Sequence, residues 1–311
     1  MRPTPRVSVA VPVLNEEDIV RELIRRLDSV LNGIPGGPHE MVFVDDGSTD
    51  RTLEFLESEA AANPRVVVAL SRNFGHQVAI SAALDHATGD VVVVMDGDLQ
   101  DAPEIIPQFL EKYQQGYDVV YALRTTRKEP LWLRFSYKLF YRAIAGLSQI
   151  ELPVDAGDFG LMSKRVVSEV CRAPERHRYL RGLRAWAGFQ QIGIPVERPA
   201  RAAGKSKYPV KRLLRLAFDG LFAFSVVPLR LATMLGMIAM LLSAVFAFYS
   251  LYAKFVQDQS PQGFTALILV ITFLSGINLL FLGVLGEYLG RVYEEVKGRP
   301  LYIVQRIIRP D

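Results

Sequence analysis

Asp96-Gly97-Asp98-Leu99-Gln100 follows directly on the apolar run Val91-Val92-Val93-Val94-Met95, so two carboxylates and an amide stand where a buried strand should end. The carboxyl ends of strands are where open α/β sheets bind ligands. A strand sends alternate side chains to one face. If the chain stays extended, Asp96, Asp98 and Gln100 converge on one hard cation, Mg²⁺ or Mn²⁺, and leave positions for phosphate oxygens. Adjacent carboxylates repel unless something neutralises them. A solvated acidic turn is the bland alternative for a lone Asp-x-Asp, and the flanking sequence argues against it.

The elements that must position these groups are legible upstream. Apolar runs at 7–11, 41–44, 66–70, 91–95 and 119–122 read as strands, and between them lie helical patterns such as Ile19, Val20, Leu23, Leu27, Val30 and Leu31. After the aspartates, Asp101, Pro103 and Glu104 predict a helix opened by a capping box. Alternating strands and helices imply an α/β, doubly wound, mainly parallel sheet. Three further polar turns come after strands and would share one sheet edge with the aspartates. They are Pro12-Val13-Leu14-Asn15-Glu16, Asp45-Asp46-Gly47-Ser48-Thr49-Asp50 and Ser71-Arg72-Asn73-Phe74-Gly75-His76. Each is ordinary turn chemistry by itself. Four on one edge are better explained by a ligand.

The chain has 311 residues, half of them hydrophobic, and a formal net charge of only +3. Charge is unevenly placed, with twelve Lys or Arg against two acids between Arg172 and Arg215, a basic block that wants an anionic partner. The single cysteine, Cys171, excludes an intramolecular disulfide and reads as an unreactive thiol. Two uncharged apolar runs, 231–253 and 264–286, are each long enough to cross a bilayer as a helix, which takes roughly 20 residues. Lys211, Arg212, Arg215 and Arg230 precede the first, and Arg291, Lys297 and Arg299 follow the second, so the positive-inside rule puts both ends in the cytoplasm. Residues 1–5 carry no apolar signal region. Stretches 132–147 and 211–227 read as amphipathic, the latter as an interfacial helix.

In series, these motifs resemble family 2 glycosyltransferases of the GT-A fold, and more closely the polyprenyl-phosphate hexose transferases, which include bactoprenol glucosyltransferase-like and dolichyl-phosphate mannose synthase-like enzymes. The resemblance extends from Val7 to about Val304. It rests on Pro12-x-x-Asn15-Glu16, Val44-Asp45-Asp46-Gly47-Ser48, Arg72-Asn73-x-Gly75, Asp96-x-Asp98-x-Gln100 and Asp155-x-Gly157-Asp158-Phe159. Glu175-Arg176-x-Arg178-Tyr179-x-Arg181-Gly182, Gly204-x-Ser206-Lys207-Tyr208-Pro209, the two apolar runs and Gly286-Glu287-Tyr288-Leu289-Gly290-Arg291 complete it.

The resemblance implies a cytoplasmic GT-A catalytic domain over 1–210, an interfacial helix over 211–230, a two-helix transmembrane hairpin over 231–286 and a cytoplasmic tail over 287–311. It implies inverting, metal-dependent transfer of a hexose to polyprenyl phosphate at the inner membrane, with UDP-glucose favoured over GDP-mannose as donor, a homo-oligomer such as a tetramer, and no nucleic-acid partner. By the same likeness, nucleotide-sugar falls to Pro12, Asn15, Glu16, Asp46 and Arg72, and Mg²⁺ or Mn²⁺ to Asp96, Asp98 and Gln100. Lipid or diphosphate charge falls to Arg176, Arg178, Arg181, Lys205 and Lys207, with Asp158, or else Asp155, as the catalytic carboxylate. As a base Asp158 has a limited task, because a phosphate monoester has a second pKa near 6 and is already mostly dianionic at neutral pH. His76 and His177 could touch phosphate, but a lone loop histidine is more simply structural. The chain departs from the family at Gly160, where members carry Arg after the Gly-Asp-Phe triplet.

Two other readings compete. Asp96-Gly97-Asp98 after valines also resembles the nucleophile motif of haloacid-dehalogenase phosphatases, but it comes after three earlier strand and turn units, and no later acidic pair with a suitable lysine accompanies it. A membrane-anchored nucleotide-binding scaffold without turnover is the non-enzymatic alternative.

Overall fold

Near-continuous runs of valine and other apolar residues make strands that are buried on both faces, the signature of a parallel sheet covered by helices. The computed structural model describes residues 2–124, 156–176, 178–196, 227–256 and 263–309. In order they form β1 (Val7–Val13), α1 (Val20–Asn32), β2 (Glu40–Asp45), α2 (Thr52–Ser58), β3 (Arg65–Leu70), α3 (His76–His86) and β4 (Val91–Val94). A 3₁₀ turn (Pro103–Ile105) leads into α4 (Ile106–Gln114), then β5 (Val119–Arg124), β6 (Ala156–Ser163), α5 (Lys164–Arg172), α6 (Leu180–Trp186) and β7 (Gln191–Val196). Two long helices, α7 (Val227–Val256) and α8 (Phe264–Val296), precede a last strand, β8 (Val304–Ile308).

The strands make one eight-stranded sheet in the order β7-β5-β6-β4-β1-β2-β3-β8. Pairs β1/β2, β1/β4, β2/β3 and β5/β7 are parallel, whereas β4/β6, β5/β6 and β3/β8 are antiparallel. The five strands read from the sequence are all present. The sheet is mixed because β6 and β8 run against their neighbours. Alternation within each strand sorts the core: Val9, Val11, Met41, Phe43 and Val93 pack with Leu23, Leu27 and Phe109 on one face. Ala10, Val42, Val44, Val92 and Val94 pack with Ile80, Leu84, Val166 and Val170 on the other. Each such valine, leucine, isoleucine, methionine or phenylalanine contributes roughly 1.5–3 kcal/mol by leaving water.

The capping box at the start of α4 does not form. Asp101 instead accepts the Asp96 N–H at 3.2 Å, and Glu104 pairs with Arg26 at 2.7 Å. A competing donor from the preceding turn captured the capping carboxylate, and the helix opens through its 3₁₀ turn with proline at the first position.

The glycine at position 160 has a steric reason. A Cβ on Gly160 would lie 2.5 Å from the Val120 carbonyl oxygen and 3.0 Å from the Tyr121 Cα, and neither backbone atom is able to yield. Gly160→Ala is therefore expected to destabilise by ~1–3 kcal/mol, as overpacking does. A thermal unfolding midpoint that stays unchanged would contradict this close approach of β5 and β6.

The chain divides into two compact units. One comprises Met1–Ala145, Ile150–Lys207 and Arg299–Asp311 and holds the sheet, and the other comprises Gly146–Gln149 and Tyr208–Gly298 and holds α7 and α8. Within the second unit α7 and α8 touch one another, and leucines and phenylalanines along both, with methionines of α7, are exposed. Among the described residues one stretch, Phe273–Val296, is long and apolar enough to cross a membrane, and Ala232–Phe246 is a shorter apolar stretch. The stretch 287–311, expected as a tail, continues α8 to Val296 and then supplies β8. The amphipathic segments expected at 132–147 and 211–227 lie outside the described residues, apart from position 227, where α7 begins.

Candidate active site

The parallel strands β4, β1, β2 and β3 lie side by side, so the turns at their carboxyl ends gather on one edge of the sheet. Antiparallel β6 brings a fifth segment there. Gly160 pairs with Val94, so Asp158, two residues before Gly160, stands beside Asp96, two residues after Val94. A shallow cleft at this point is lined by Asp96, Gln100, Asp101, Gly157, Asp158 and Phe159, among others.

The aspartate motif is not extended as the sequence suggested. Strand β4 ends at Val94, and Leu99 adopts φ 57° in a turn, while Asp98 accepts the Gln100 N–H at 3.1 Å. Alternation therefore does not align Asp96, Asp98 and Gln100. Asp96 and Gln100 line the cleft through the turn instead, and Asp98 braces it. The two non-glycine residues with positive φ among the described residues are Leu99 and Asn15, one in each of two site turns. Local backbone strain of this kind clusters at functional sites.

Among the described residues no group of three or more His, Cys, Asp or Glu encloses a metal by itself. Asp96 and Asp98 nonetheless offer hard oxygen donors, one at the cleft, and Mg²⁺ characteristically takes one or two carboxylates and completes its shell with water and substrate phosphates. The residues present fit such a cation.

Asp158 is the hub. Arg181 from α6 grips it with both ends of its fork, Nε to Oδ1 at 2.8 Å and Nη2 to Oδ2 at 3.0 Å. Gln77 Nε2 donates to Oδ2 at 3.3 Å, and Gln77 Oε1 in turn accepts the Leu180 N–H at 2.9 Å, tying α3 to the start of α6. Burial pushes the Asp158 carboxyl up, but the Arg181 guanidinium outweighs it and holds the group below the usual carboxylate range. His76 Nε2 lies 3.3 Å from Asp96 Oδ1 and 4.0 Å from Asp158 Oδ2, and its contact with Asp96 raises its pKa. His76, expected as a loop histidine, is the first residue of α3, and its Nε2 faces both carboxylates. One turn along α6, Arg184 is buried over the Tyr121 ring at 4.9 Å, and burial lowers its pKa to about 10.

On the other side of the edge, Asp46 accepts the Phe74 N–H at 2.7 Å and the Gly75 N–H at 3.0 Å, locking the second polar turn to the third. Burial raises its carboxyl above the ordinary value against those two donors. Gly47, at φ 77°, permits this contact, since a Cβ would meet the Arg72 carbonyl carbon and the Asn73 nitrogen at 2.8 Å. Asn15 takes the Thr49 N–H at 2.8 Å, and Glu16 N–H donates to Thr52 Oγ1 at 2.8 Å. Pro12 pairs with Val44 near the end of β1, and Arg72 stacks on Phe74 with its guanidinium 4.1 Å from the ring centre. The structure thus brings Pro12, Asn15, Glu16, Asp46 and Arg72 to one edge.

Among the described residues it separates the expected phosphate cations Arg176, Arg178 and Arg181. Arg176 donates to the Arg299 carbonyl at 2.5 Å and Arg178 to the Val170 carbonyl at 2.7 Å, so both anchor backbone. Of those three described arginines, Arg181 meets a site carboxylate. Asp155, His177, Lys205 and Lys207 lie outside the described residues. No motif in the sequence marks Gln77, and Arg184 is one cation among twelve in the basic block until the fold turns both toward β6.

Comparison with known proteins gives the family. The family described as Glycosyl transferase family 2 matches residues 8–171. The chain is 44% identical to the uncharacterized glycosyltransferase YkcC of Bacillus subtilis, over 96% of this chain and 93% of that one. It is 37% identical to the SfII prophage-derived bactoprenol glucosyl transferase of Shigella flexneri, over 97% of this chain and 98% of that one. In fold it is similar to glucosyl-3-phosphoglycerate synthase from Mycobacterium tuberculosis, solved with Mn²⁺, uridine diphosphate and phosphoglyceric acid, at a TM-score of 0.50 and 18% identity over 70% of this chain and 76% of that one. The chain is a member of glycosyl transferase family 2, of the kind that resembles bactoprenol glucosyl transferases.

Proposed function

We propose that this protein transfers a hexose, glucose from UDP-glucose, to polyprenyl phosphate with inversion at the anomeric carbon, on the cytoplasmic leaflet of the inner membrane. The observation that carries the reading is the Arg181–Asp158 fork beside Asp96 at the carboxyl edge of the sheet, in a chain similar along nearly its whole length to a bactoprenol glucosyl transferase.

In this reading Asn15, Glu16, Asp46 and Arg72 hold the nucleotide, and Asp96 and Asp98, with Gln100, would hold Mg²⁺ or Mn²⁺. That cation would supply charge neutralisation at the leaving diphosphate. An oxygen of the acceptor phosphate attacks the anomeric carbon from the face opposite the diphosphate, so one C–O bond forms as the other breaks and UDP departs with the electron pair. The nucleophile arrives mostly deprotonated. Asp158 therefore keeps Arg181 aimed rather than taking a proton, and Arg181 meets the phosphate, with Lys205 and Lys207 as further cations.

The runs 231–253 and 264–286 are read as two membrane spans, with 211–230 at the interface, both termini cytoplasmic, and assembly as a homo-oligomer such as a tetramer. Spans of this kind hold the acceptor near the site and turn a search through volume into one over a surface. Cysteines placed at 257–262 should react with an impermeant thiol reagent from outside, and labelling only from inside would overturn the topology. A panel of nucleotide-sugars offered with polyprenyl phosphate tests the reaction: UDP-glucose should label the lipid fraction. Label from GDP-mannose alone would overturn the donor assignment, and no label from any donor would point to a scaffold without turnover.

A further inference from the structure

The residues after α8 reach two parts of the site from one short segment. Immediately after β3, the loop 71–75 begins with the Ser71 N–H, and this donor is taken by the Ile303 carbonyl at 2.9 Å. The β3/β8 register shifts between Ala69 and Leu70, one residue before that contact. Such irregularities bend a strand and re-aim the residues beyond the bend. The loop then closes on Asp46 through Phe74 and Gly75 and runs into α3, whose first residue, His76, touches Asp96. The far end of α3 is held by the same segment, because the Tyr302 hydroxyl donates to Asp85 Oδ2 at 2.8 Å. Tyr302 and Val304 also pack on the core face that contains Ile80 and Leu84 of α3. A strand that only covered the open edge of β3 would need the ladder contacts of 304–308. The Ile303 carbonyl carries the Leu70/Val304 register one rung further onto the loop, and the Tyr302 side chain, beyond the ladder, grips the helix.

We propose that residues 302 and 303, just before β8, are a positioning strap for the nucleotide side of the site, with Tyr302 and the Ile303 carbonyl setting the placement of loop 71–75 and of His76 and Gln77. This rests on the proposed use of that edge for a nucleotide-sugar. The strap comes directly after α8 in the chain, so the same backbone that leaves the apolar helix also sets the loop that shapes the donor pocket.

The test uses the full chain in detergent and three variants. Tyr302→Phe removes one hydroxyl, Asp85→Asn weakens the same bond from the other side, and Arg306→Ala removes an exposed ion pair between β8 and Glu57 as a control on the strand itself. Amide exchange over 71–77 should quicken about tenfold in Tyr302→Phe and Asp85→Asn, the size expected for losing a hydrogen bond to a charged group. Exchange over β1 should not change. UDP affinity by calorimetry and the donor KM should weaken several-fold, with kcat within about twofold, and Arg306→Ala should leave all of these unchanged. Unchanged exchange at 71–77 in both hydrogen-bond variants would overturn the strap, as would a uniform rise across β1 and the loop, which marks simple edge cover. A strap response in a protein that transfers no sugar would sink the proposed reaction and leave the strap standing.

Discussion

Asp158→Asn is expected to lower kcat by roughly 10², the size that misplacing a positioned group costs, while leaving UDP-glucose affinity nearly intact. Asparagine keeps the size and one acceptor oxygen but loses the charge that holds the Arg181 fork at 2.8 and 3.0 Å, so the guanidinium is no longer aimed. Calorimetry with UDP and steady-state kinetics at saturating donor separate the two effects. Loss of donor binding with normal turnover at saturation would make Asp158 a donor ligand instead. The pH profile carries independent information. Because Arg181 holds the Asp158 carboxyl below the usual carboxylate range, its own titration falls in more acid solution than that of an ordinary carboxyl. A fall in rate as pH drops through about 6 therefore belongs to the acceptor phosphate gaining its second proton. The same fall in Asp158→Asn would agree. Its disappearance in the variant would instead make Asp158 the titrating base.

Removing divalent metal is expected to have the second large effect. EDTA should reduce transfer by a factor on the order of 10³, and Mg²⁺ or Mn²⁺ should restore it, since charge developing on a leaving diphosphate is neutralised by such a cation. Asp96→Asn should weaken Mn²⁺ binding, read by titration in the presence of UDP without turnover. Full activity in EDTA, with metal content verified as nil, would remove Asp96 and Asp98 from this role. The place of Asp96 at the cleft, with Asp98 bracing the turn, would then need another reason.

The four parallel strands and their polar turns are legible in the sequence because buried parallel strands read as plain apolar runs, and their order puts four turns on one edge. The remainder is hidden for physical reasons. Strand β6 carries Gly157, Asp158 and Gly160 and has no alternation to see, yet it delivers Asp158 to Asp96. Strand β8 comes after a long apolar helix, where a short Val-Gln-Arg-Ile-Ile reads as tail. Extension through Asp96, Asp98 and Gln100 fails because Leu99 turns the chain, a local choice that side-chain periodicity does not encode. Asp101 looks like a helix cap until a neighbouring N–H claims it. Asp158 and Arg181 are both singled out by motif, but only the packing of α6 against β6 makes them one unit.

The central claim is that one hexose leaves UDP and arrives on a lipid phosphate at this edge of the sheet. Purified full-length protein, UDP-glucose, a divalent cation and polyprenyl phosphate should release UDP one-to-one with a lipid whose mass is the acceptor plus one anhydrohexose, with the new glycosidic bond of inverted configuration. UDP released together with free glucose and unchanged lipid, or no UDP released at all, would contradict it.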